Sequence, residues 1–180
     1  MISRSLVSAL ALVAVAACAS GNSQDPVDQR VAAVADGHMI QTDNAPSAEH
    51  AFDAPATTVW TALQHAYASL EIATPVHDPA LHRMGNTNFY KYGRLNGEPI
   101  SRFADCGMGP TGARANSSRV YFSMITIVTA VDATHTKLAT DVTAVAVDMS
   151  GTTNARITCG STGQLETTLY DLVASQLGGG

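Results

Sequence analysis

The sequence has little positive charge, and charged residues make up only 14% of its 180 positions. Its ten lysines and arginines are spread along the chain without a basic cluster. Because neutralising phosphates requires concentrated Lys and Arg, this distribution disfavours nucleic-acid binding. Long hydrophobic runs are also missing. The apolar stretch from Leu6 to Ala17 has twelve positions, whereas a membrane-spanning helix needs about 20.

Motifs typical of metal sites and enzymes are missing as well. No cysteine has a second cysteine or a histidine at zinc-ligand spacing, and His77 and His82 lack the spacing of a helical ligand pair. Residues 159–163, Cys-Gly-Ser-Thr-Gly, do not match the Gly-x-Ser-x-Gly elbow of a serine hydrolase. The glycine-rich stretch before Arg114 has no phosphate-loop lysine. We therefore predict no catalytic residue, no metal and no cofactor.

Residues 1–17 have the composition of a secretion signal. Arg4 provides the positive start, Leu6 to Ala17 an apolar core, and Val15-Ala16-Ala17-Cys18 the small residues at its end. This four-residue pattern resembles the lipobox of bacterial lipoprotein precursors. The resemblance implies that Cys18 becomes the first residue of the mature chain and carries acyl chains that anchor it to a membrane. Ala17-Cys18-Ala19 also fits an ordinary secretory cleavage site, so secretion without a lipid is the alternative.

The resemblance also implies a location. Ala19, rather than an aspartate, follows the cysteine, which in proteobacterial lipoproteins favours the outer membrane. We therefore expect a lipid-anchored protein of the cell envelope, on the periplasmic face of the outer membrane. Residues 18–47 are interpreted as a tether, with a short edge strand between Val31 and Ile40, and residues 48–180 as a single domain. Loss of Arg4 with the signal leaves 9 basic and 15 acidic residues, a net charge of −6.

Cysteine usage agrees with an oxidising compartment. Once Cys18 is assigned to lipid, Cys106 and Cys159 remain, and two cysteines allow one intramolecular pairing. We predict a disulfide between them. It would close a loop of about 50 residues, which the chain-entropy model values at roughly 4 kcal/mol.

Residue patterns predict an α+β fold. Apolar positions at helical spacing from Val59 to Leu70 predict a helix that starts near Asp53, as its cap, and ends before Pro75. The β-branched runs Val120–Asp132 and Lys137–Asp148 predict a long antiparallel hairpin.

The first hairpin strand is apolar on both faces. Such a strand is either central and covered on both sides or exposes an apolar surface for use. Leucines from Leu165 to Leu177 predict the last helix. Ser161 and Gln164 stand before it at capping-box spacing.

The segment Ala51-Phe52-Asp53-Ala54-Pro55, followed by Val59-Trp60, resembles the first strand and helix of the START-like, helix-grip superfamily. The resemblance covers residues 48–177. It implies an antiparallel sheet with one N-terminal helix and a long C-terminal helix packed on it, and a groove or cavity between them. A smaller helix-grip version resembles lipoprotein accessory modules of outer-membrane assembly machinery.

Two functions fit this sequence. The first is a non-catalytic cell-envelope lipoprotein, a structural or accessory module that docks other envelope proteins. The alternative is a binding protein for a small hydrophobic ligand held between the sheet and the C-terminal helix. Candidate lining residues are Trp60, Tyr121, Phe122 and Met124, although the same residues are also suited to packing a core. An envelope hydrolase that uses Asp105 and Glu166 as paired carboxylates is a further, weaker alternative.

Overall fold

The computed structural model describes residues 33–35, 38–40, 48–149 and 155–178. The predicted signal, lipobox and Cys18, and most of the predicted tether, lie outside these residues. The helices are α1 (Ala56–Ser69), α2 (Arg114–Ser117) and α3 (Gln164–Leu177), with a 3-10 turn at Ile100–Arg102. The strands are β1 (Ala33–Ala35), β2 (His38–Ile40), β3 (Ala48–Phe52), β4 (Val76–Asp78), β5 (Arg83–Tyr92), β6 (Arg94–Leu95), β7 (Glu98–Pro99), β8 (Ala104–Asp105), β9 (Met108–Gly109), β10 (Gly112–Ala113), β11 (Ser118–Ala130), β12 (Thr136–Asp148) and β13 (Arg156–Ser161).

An antiparallel sheet with the strand order β4-β5-β11-β12-β13-β8 is the scaffold of the domain. Strand β3 also pairs with β12, along residues 136–140, while β13 pairs with residues 144–147 of the same strand. Helices α1 and α3 contact each other and pack on one face of the sheet. The predicted fold class, an α+β fold with an N-terminal and a C-terminal helix on an antiparallel sheet, is confirmed.

The predicted hairpin lies at the centre of this sheet. Strands β11 and β12 pair without interruption from Ser118 opposite Asp148 to Ala130 opposite Thr136. Toward the helices, Phe122 is completely buried, and on the opposite face Ile125 is only 4% exposed. The first strand is therefore central and buried on both faces through its middle, which is the first of the two interpretations that its sequence allowed.

Helices α1 and α3 bury the stripes that the sequence predicts. Leu63 of α1, its C-cap Leu70, and Leu165 and Leu169 of α3 are at most 1% exposed. Trp60 is only partly buried and packs at the edge of this core. Helix–helix and helix–sheet packing thus account for most of the apolar burial in the domain.

The start of α1 differs from the prediction. Pro55, not Asp53, is its N-cap, and no side chain caps the helix. The Pro55 carbonyl accepts hydrogen bonds from the amides of Thr58 and Val59 at 3.0 and 3.1 Å. Because its ring fixes φ near the value found here, −60°, proline sets the entry of the chain into the helix without a capping side chain.

The start of α3 also differs. Its N-cap is Gly163, which has a φ of 77°, rather than Ser161. The Ser161 hydroxyl instead donates a hydrogen bond to Glu166 at 3.0 Å and accepts one from the Gly163 amide at 3.2 Å. Glycine is suited to the left-handed conformation that this turn requires, so the capping-box geometry does not form.

The predicted N-terminal edge strand is instead a separate hairpin. Strand β1 pairs with β2, Ala33 lying opposite Ile40, and β2 contacts β5 without joining the main sheet. The sequence between the two strands is Asp36-Gly37, a pair typical of tight hairpin turns.

A β-bulge interrupts the pairing of β5 with β11. Phe89 lies opposite Phe122, whereas Asn86 lies opposite Met124, so β5 has one residue more than β11 in this interval. The side-chain carbonyl oxygen of Asn86 accepts a hydrogen bond from the backbone amide of Asn88 at 2.9 Å, which stabilises the extra residue. A bulge of this kind reverses the face to which the following residues of β5 point.

Gly85 lets the two strands approach closely beside this bulge. Its φ is +152°, and a Cβ atom at this position would lie 2.1 Å from the carbonyl oxygen of Met124. Only glycine fits such a conformation and such a contact.

We expect Gly85→Ala to destabilise the protein by roughly 2–3 kcal/mol, because the added methyl group must displace backbone rather than a flexible side chain. Gly160→Ala is the matched control, since a Cβ atom there meets nothing within 4 Å, and it should change the free energy of unfolding by less than about 0.5 kcal/mol. Urea unfolding followed by Trp60 fluorescence measures both. Equal losses in the two variants would contradict this account.

Two sets of buried hydroxyl groups in the sheet differ in their hydrogen bonding. On the helix side, the Tyr67 hydroxyl lies 2.9 Å from Thr126 Oγ1, which lies 3.0 Å from Thr140 Oγ1. Burial raises the pKa of the Tyr67 hydroxyl, which keeps it protonated as a partner for Thr126. On the other face, Thr143 is 3% exposed, and its Oγ1 has no hydrogen-bond partner among the described residues.

Replacing these threonines by valine should therefore have opposite effects. Thr143→Val removes a buried hydroxyl that makes no hydrogen bond, and we expect up to about 1 kcal/mol of added stability. Thr126→Val leaves the Tyr67 hydroxyl unpaired and should cost about 1–3 kcal/mol. The same urea unfolding measurement applies. Destabilisation by Thr143→Val would mean that its hydroxyl has a partner that the described residues do not provide.

Candidate functional site

The predicted disulfide is present. Cys106 and Cys159 are joined at an S–S distance of 2.03 Å, and both are at most 5% exposed. The bond connects the segment after β8 to β13, beside the two pairs of the β8–β13 ladder. Its role in the domain is structural, since it fastens the sheet edge just before α3 begins.

The four predicted ligand-lining residues do not lie around one cavity. Phe122 and Met124 are completely buried on the helix side of β11, and Phe89 stacks on Phe122 with ring centroids 5.4 Å apart. Tyr121 is the neighbour of Phe122 in the same strand and therefore points to the opposite face. Trp60 lies on α1 at the margin of the core.

Three grooves are lined by described residues, and none of them is lined by Phe122 or Met124. A groove of about 530 Å³ lies between threonines of α1 and the end of α3. A smaller one, about 290 Å³, lies between Lys91, Arg94 and the C-terminus of α1. The largest, about 660 Å³, lies at the end of the sheet and includes Tyr92, Arg114 and Met149.

Beside that largest groove, the sheet exposes aromatic and basic side chains on the face away from the helices. Tyr90 and Tyr92 of β5 are 58% and 62% exposed, and they lie opposite Tyr121 and Arg119 of β11. Arg156 of β13 is exposed on the same face, opposite Val147 of β12. We call these residues the tyrosine–arginine face: Tyr90, Tyr92, Arg119, Tyr121 and Arg156.

Side chains within the tyrosine–arginine face are in contact. The Arg119 guanidinium carbon lies 5.0 Å from the centroid of the Tyr90 ring, within cation–π distance. The Tyr90 and Tyr121 rings lie 5.8 Å apart. Hydrogen bonding to the Tyr121 side chain raises the pKa of Arg119, so the guanidinium carries its charge at every physiological pH. This arrangement can bind an anionic or aromatic group.

The β-bulge in β5 determines the face of the sheet to which Tyr90 and Tyr92 point. Before it, Met84 and Asn86 point toward the helices, whereas after it Phe89 does so and Tyr90 and Tyr92 point away. Without the extra residue the two tyrosines would face the core. Asn86 is 9% exposed, and its Nδ2 donates to the carbonyl of Ala73 at 2.9 Å, which ties the bulge to the segment after α1.

The arginine that the sequence places near the glycine-rich loop is used within that loop. Arg114 Nε donates to the carbonyl oxygen of Met108 at 2.8 Å, and the Arg114 amide donates to that of Gly107 at 3.0 Å. These bonds close the short hairpin β9–β10 onto α2. Met108 itself is 72% exposed beside the largest groove.

Histidines form two surface clusters. The Trp60 ring contacts His77 and His82, with ring centroids 5.4 and 6.0 Å away. At the tip of the central hairpin, His135 Nδ1 lies 2.7 Å from Asp132 Oδ2, and His135 Nε2 lies 3.8 Å from Asp53. Among the described residues, no group of three or more His, Cys, Asp or Glu could hold a metal ion.

Asp132 organises the hairpin tip. Its Oδ1 accepts hydrogen bonds from the backbone amides of Thr134 and His135 at 2.7 and 2.8 Å. The Thr134 amide and the His135 side chain lower the pKa of Asp132 to about 2. The pair could position a proton, but His135 Nε2 is directed at the carboxylate of Asp53 rather than at a hydroxyl or thiol nucleophile. It therefore serves to hold the hairpin tip against the start of α1.

The two carboxylates of the hydrolase alternative differ in environment. Glu166 is 1% exposed at the start of α3, and its carboxylate accepts a hydrogen bond from Ser161. Asp105 is exposed, and its Oδ1 accepts the Gly107 amide at 2.9 Å. Each is thus engaged in fixing a turn of the chain.

No protein-family model matches this chain, and no curated protein matches its sequence. Within the part of the chain that the structure describes, no helix is long and apolar enough to cross a membrane. The site that the geometry supports best is the tyrosine–arginine face. Sequence reasoning missed it, although the patterns Tyr90-x-Tyr92 and Arg119-x-Tyr121 placed pairs of such residues on one face of each strand.

Stability should depend on the charge of Asp132 in acid. Because the pKa in the folded state is lowered to about 2, from about 3.9 in an unfolded chain, its contribution is complete above pH 4 and is lost as the pH falls toward 2. An NMR titration of the Asp132 carboxyl carbon should have its midpoint near 2, and Asp132→Asn should lower the melting temperature at pH 7 more than at pH 2. A midpoint near 3.9 would contradict the hydrogen-bonded hairpin tip.

Proposed function

We propose that this protein is a non-catalytic lipoprotein of the cell envelope that docks another envelope protein through the tyrosine–arginine face. The observation that carries the proposal is the exposure of Tyr90 and Tyr92, 58% and 62%, beside Arg119 on an ordered sheet. Tyrosine and arginine are enriched among the residues that contribute most to protein–protein binding.

The location of these side chains supports docking over a core role. A tyrosine that serves only packing is buried, and Tyr67 of this protein is an example at 1% exposure. Tyr90 and Tyr92 instead extend toward solvent from the end of β5, beyond the residues of this strand that pair with β4. Their backbone is held by pairing with β11, so little conformational entropy is lost when a partner covers them.

The alternative of a small hydrophobic ligand has less support. It requires space between the sheet and α3, where Phe122, Met124 and Leu169 are completely buried. Tyr121, one of the four lining residues that this alternative names, lies on the other face of the sheet. A drug-sized ligand needs a pocket of about 300 Å³ or more lined mainly by apolar groups, and the described groove of about 660 Å³ lies outside the core and is lined by Arg114, Asp148 and several polar residues.

The anchor is part of the proposal and rests on the sequence alone. Lipid at Cys18, followed by the tether 18–47, would hold the domain near a membrane. Anchoring confines the search for a partner to a thin layer and raises its effective concentration. A docking module of modest affinity can then work without an extensive interface.

Site-specific photo-crosslinking in membranes tests the docking role. A benzoylphenylalanine placed at Tyr92 should form an adduct with a discrete envelope protein, whereas the same group at Gln64, exposed on α1, should not. The intact mass of the purified protein, before and after reduction, tests the anchor in the same preparation. It should correspond to a chain that begins at Cys18 with acyl chains and gains two hydrogens on reduction.

Several outcomes would count against the proposal. Adducts of equal yield at Tyr92 and Gln64, or no adduct at Tyr92, would contradict docking through the tyrosine–arginine face. A mass that corresponds to a chain beginning at Ser20 without lipid would mean that the protein is secreted and has no lipid anchor. Docking through the tyrosine–arginine face would then have to be tested with a soluble partner. Co-purified apolar molecules in the same mass spectrum would favour the ligand alternative.

A further inference from the structure

We infer that the partner presents an acidic segment, whose carboxylates pair with Arg119 and Arg156 while its apolar side chains cover Tyr90 and Tyr92. The inference rests on the proposed docking function and names the chemistry of what docks. It follows from the order in which charged and aromatic residues lie across the sheet.

Two neighbouring rows of side chains cross four strands at this end of the sheet. The first row is Tyr92, Arg119, Val147 and Arg156, and the second is Tyr90, Tyr121, Val145 and Thr158. Neither row contains a carboxylate. The two arginines are separated by one strand, so their Cα atoms are roughly 10 Å apart. Acidic side chains two residues apart on an extended segment share one face and lie about 7 Å apart, a separation that two long arginine side chains can meet.

Arg119 makes two contacts within the face and keeps hydrogen-bonding capacity beyond them. Its side chain hydrogen-bonds Tyr121, and its guanidinium carbon lies 5.0 Å from the centroid of the Tyr90 ring, while a guanidinium has five N–H donors. Such a group binds a carboxylate through two parallel hydrogen bonds. The two tyrosines therefore orient the arginine for an acidic partner rather than neutralising it.

The charge of the remaining chain makes this face selective. The protein has a net charge of −5, so its overall charge disfavours the approach of an acidic partner. Arg119 and Arg156, which lie in a row without a carboxylate among the described residues, provide a place where approach is favourable. The same charges would steer the partner to one orientation and make association sensitive to salt.

The first test uses the mature soluble domain and defined peptides. A fluorescein-labelled decapeptide of alternating Glu and Ala should bind, and its affinity should fall several-fold between 20 and 200 mM NaCl. Peptides with Gln or Lys in place of Glu should bind at least tenfold more weakly. The double variant Arg119→Glu/Arg156→Glu should weaken binding of the Glu peptide at least tenfold.

Arg83→Glu is the matched control. Arg83 lies opposite Ile127 at the other end of the same pair of strands and is exposed, eight positions along β11 from Arg119, or about 26 Å. This variant changes the net charge by −2, as Arg119→Glu alone does and half as much as the double variant, and it should retain binding within about twofold. Tyr90→Ser/Tyr92→Ser should weaken binding while preserving its salt dependence, because it removes apolar contact but no charge.

The outcomes separate this inference from the proposed function. Equal binding of the Glu and Gln peptides, no binding of the Glu peptide at low salt, or equal losses in Arg83→Glu and the double variant would overturn the acidic partner. In membranes, the Tyr92 adduct should disappear in Arg119→Glu/Arg156→Glu and persist in Arg83→Glu. An adduct that persists in the double variant would contradict the inference of an acidic partner but not the proposed docking function. The lack of any adduct in the protein without the arginine substitutions would contradict both.

Discussion

The uninterrupted pairing of β11 with β12 is the constraint on which the rest of the domain depends. Each strand has thirteen residues, and all thirteen are paired. Every other strand of the main sheet joins one side of this hairpin directly or through a neighbour, and both long helices pack on its inner face. Since a shift of one residue would exchange the two faces of a strand, this pairing decides which side chains form the core and which meet solvent.

One inserted residue in β5 then separates the core from the tyrosine–arginine face. Upstream of the bulge the even-numbered residues of β5 face the helices, and downstream the odd-numbered ones do. Phe89 therefore packs on Phe122, while Tyr90 and Tyr92 lie on the other side. Gly85 and Asn86 make the bulge possible, the first by its backbone conformation and the second by its hydrogen bonds. The proposed function therefore depends on a local irregularity within a regular sheet.

Regular features of this chain could be predicted from its sequence, and irregular ones could not. The hairpin, α1 and α3 follow from apolar or β-branched residues that recur over a dozen positions or more. The disulfide follows from pairing the two cysteines that remain once Cys18 is assigned to lipid. The ligand-lining role of Trp60, Tyr121, Phe122 and Met124 stays a prediction, and Tyr121 and Phe122 lie on opposite faces of the sheet because neighbours in a strand point to opposite faces. The helix caps at Asp53 and Ser161 were wrong because Pro55 and Gly163 fix the helix entries instead.

The tyrosine–arginine face needs information that no single segment contains. Tyr90 and Arg119 are 29 positions apart in the sequence, and their contact depends on the register of β5 against β11 and hence on the bulge. The position of Arg156 on this face depends in turn on the register of β13, which pairs with only four residues of β12.

Beyond those four pairs, β13 is fixed by the Cys106–Cys159 bond, by its pairing with β8 and by the hydrogen bond from Ser161 to the buried Glu166. These contacts lie at the opposite end of β13 from Arg156, which begins the strand. A strand with so short a ladder is held in register from its far end, and the covalent bond there limits any slip that would turn Arg156 to the other face. The disulfide thus helps to keep Arg156 on the surface that it shares with Arg119.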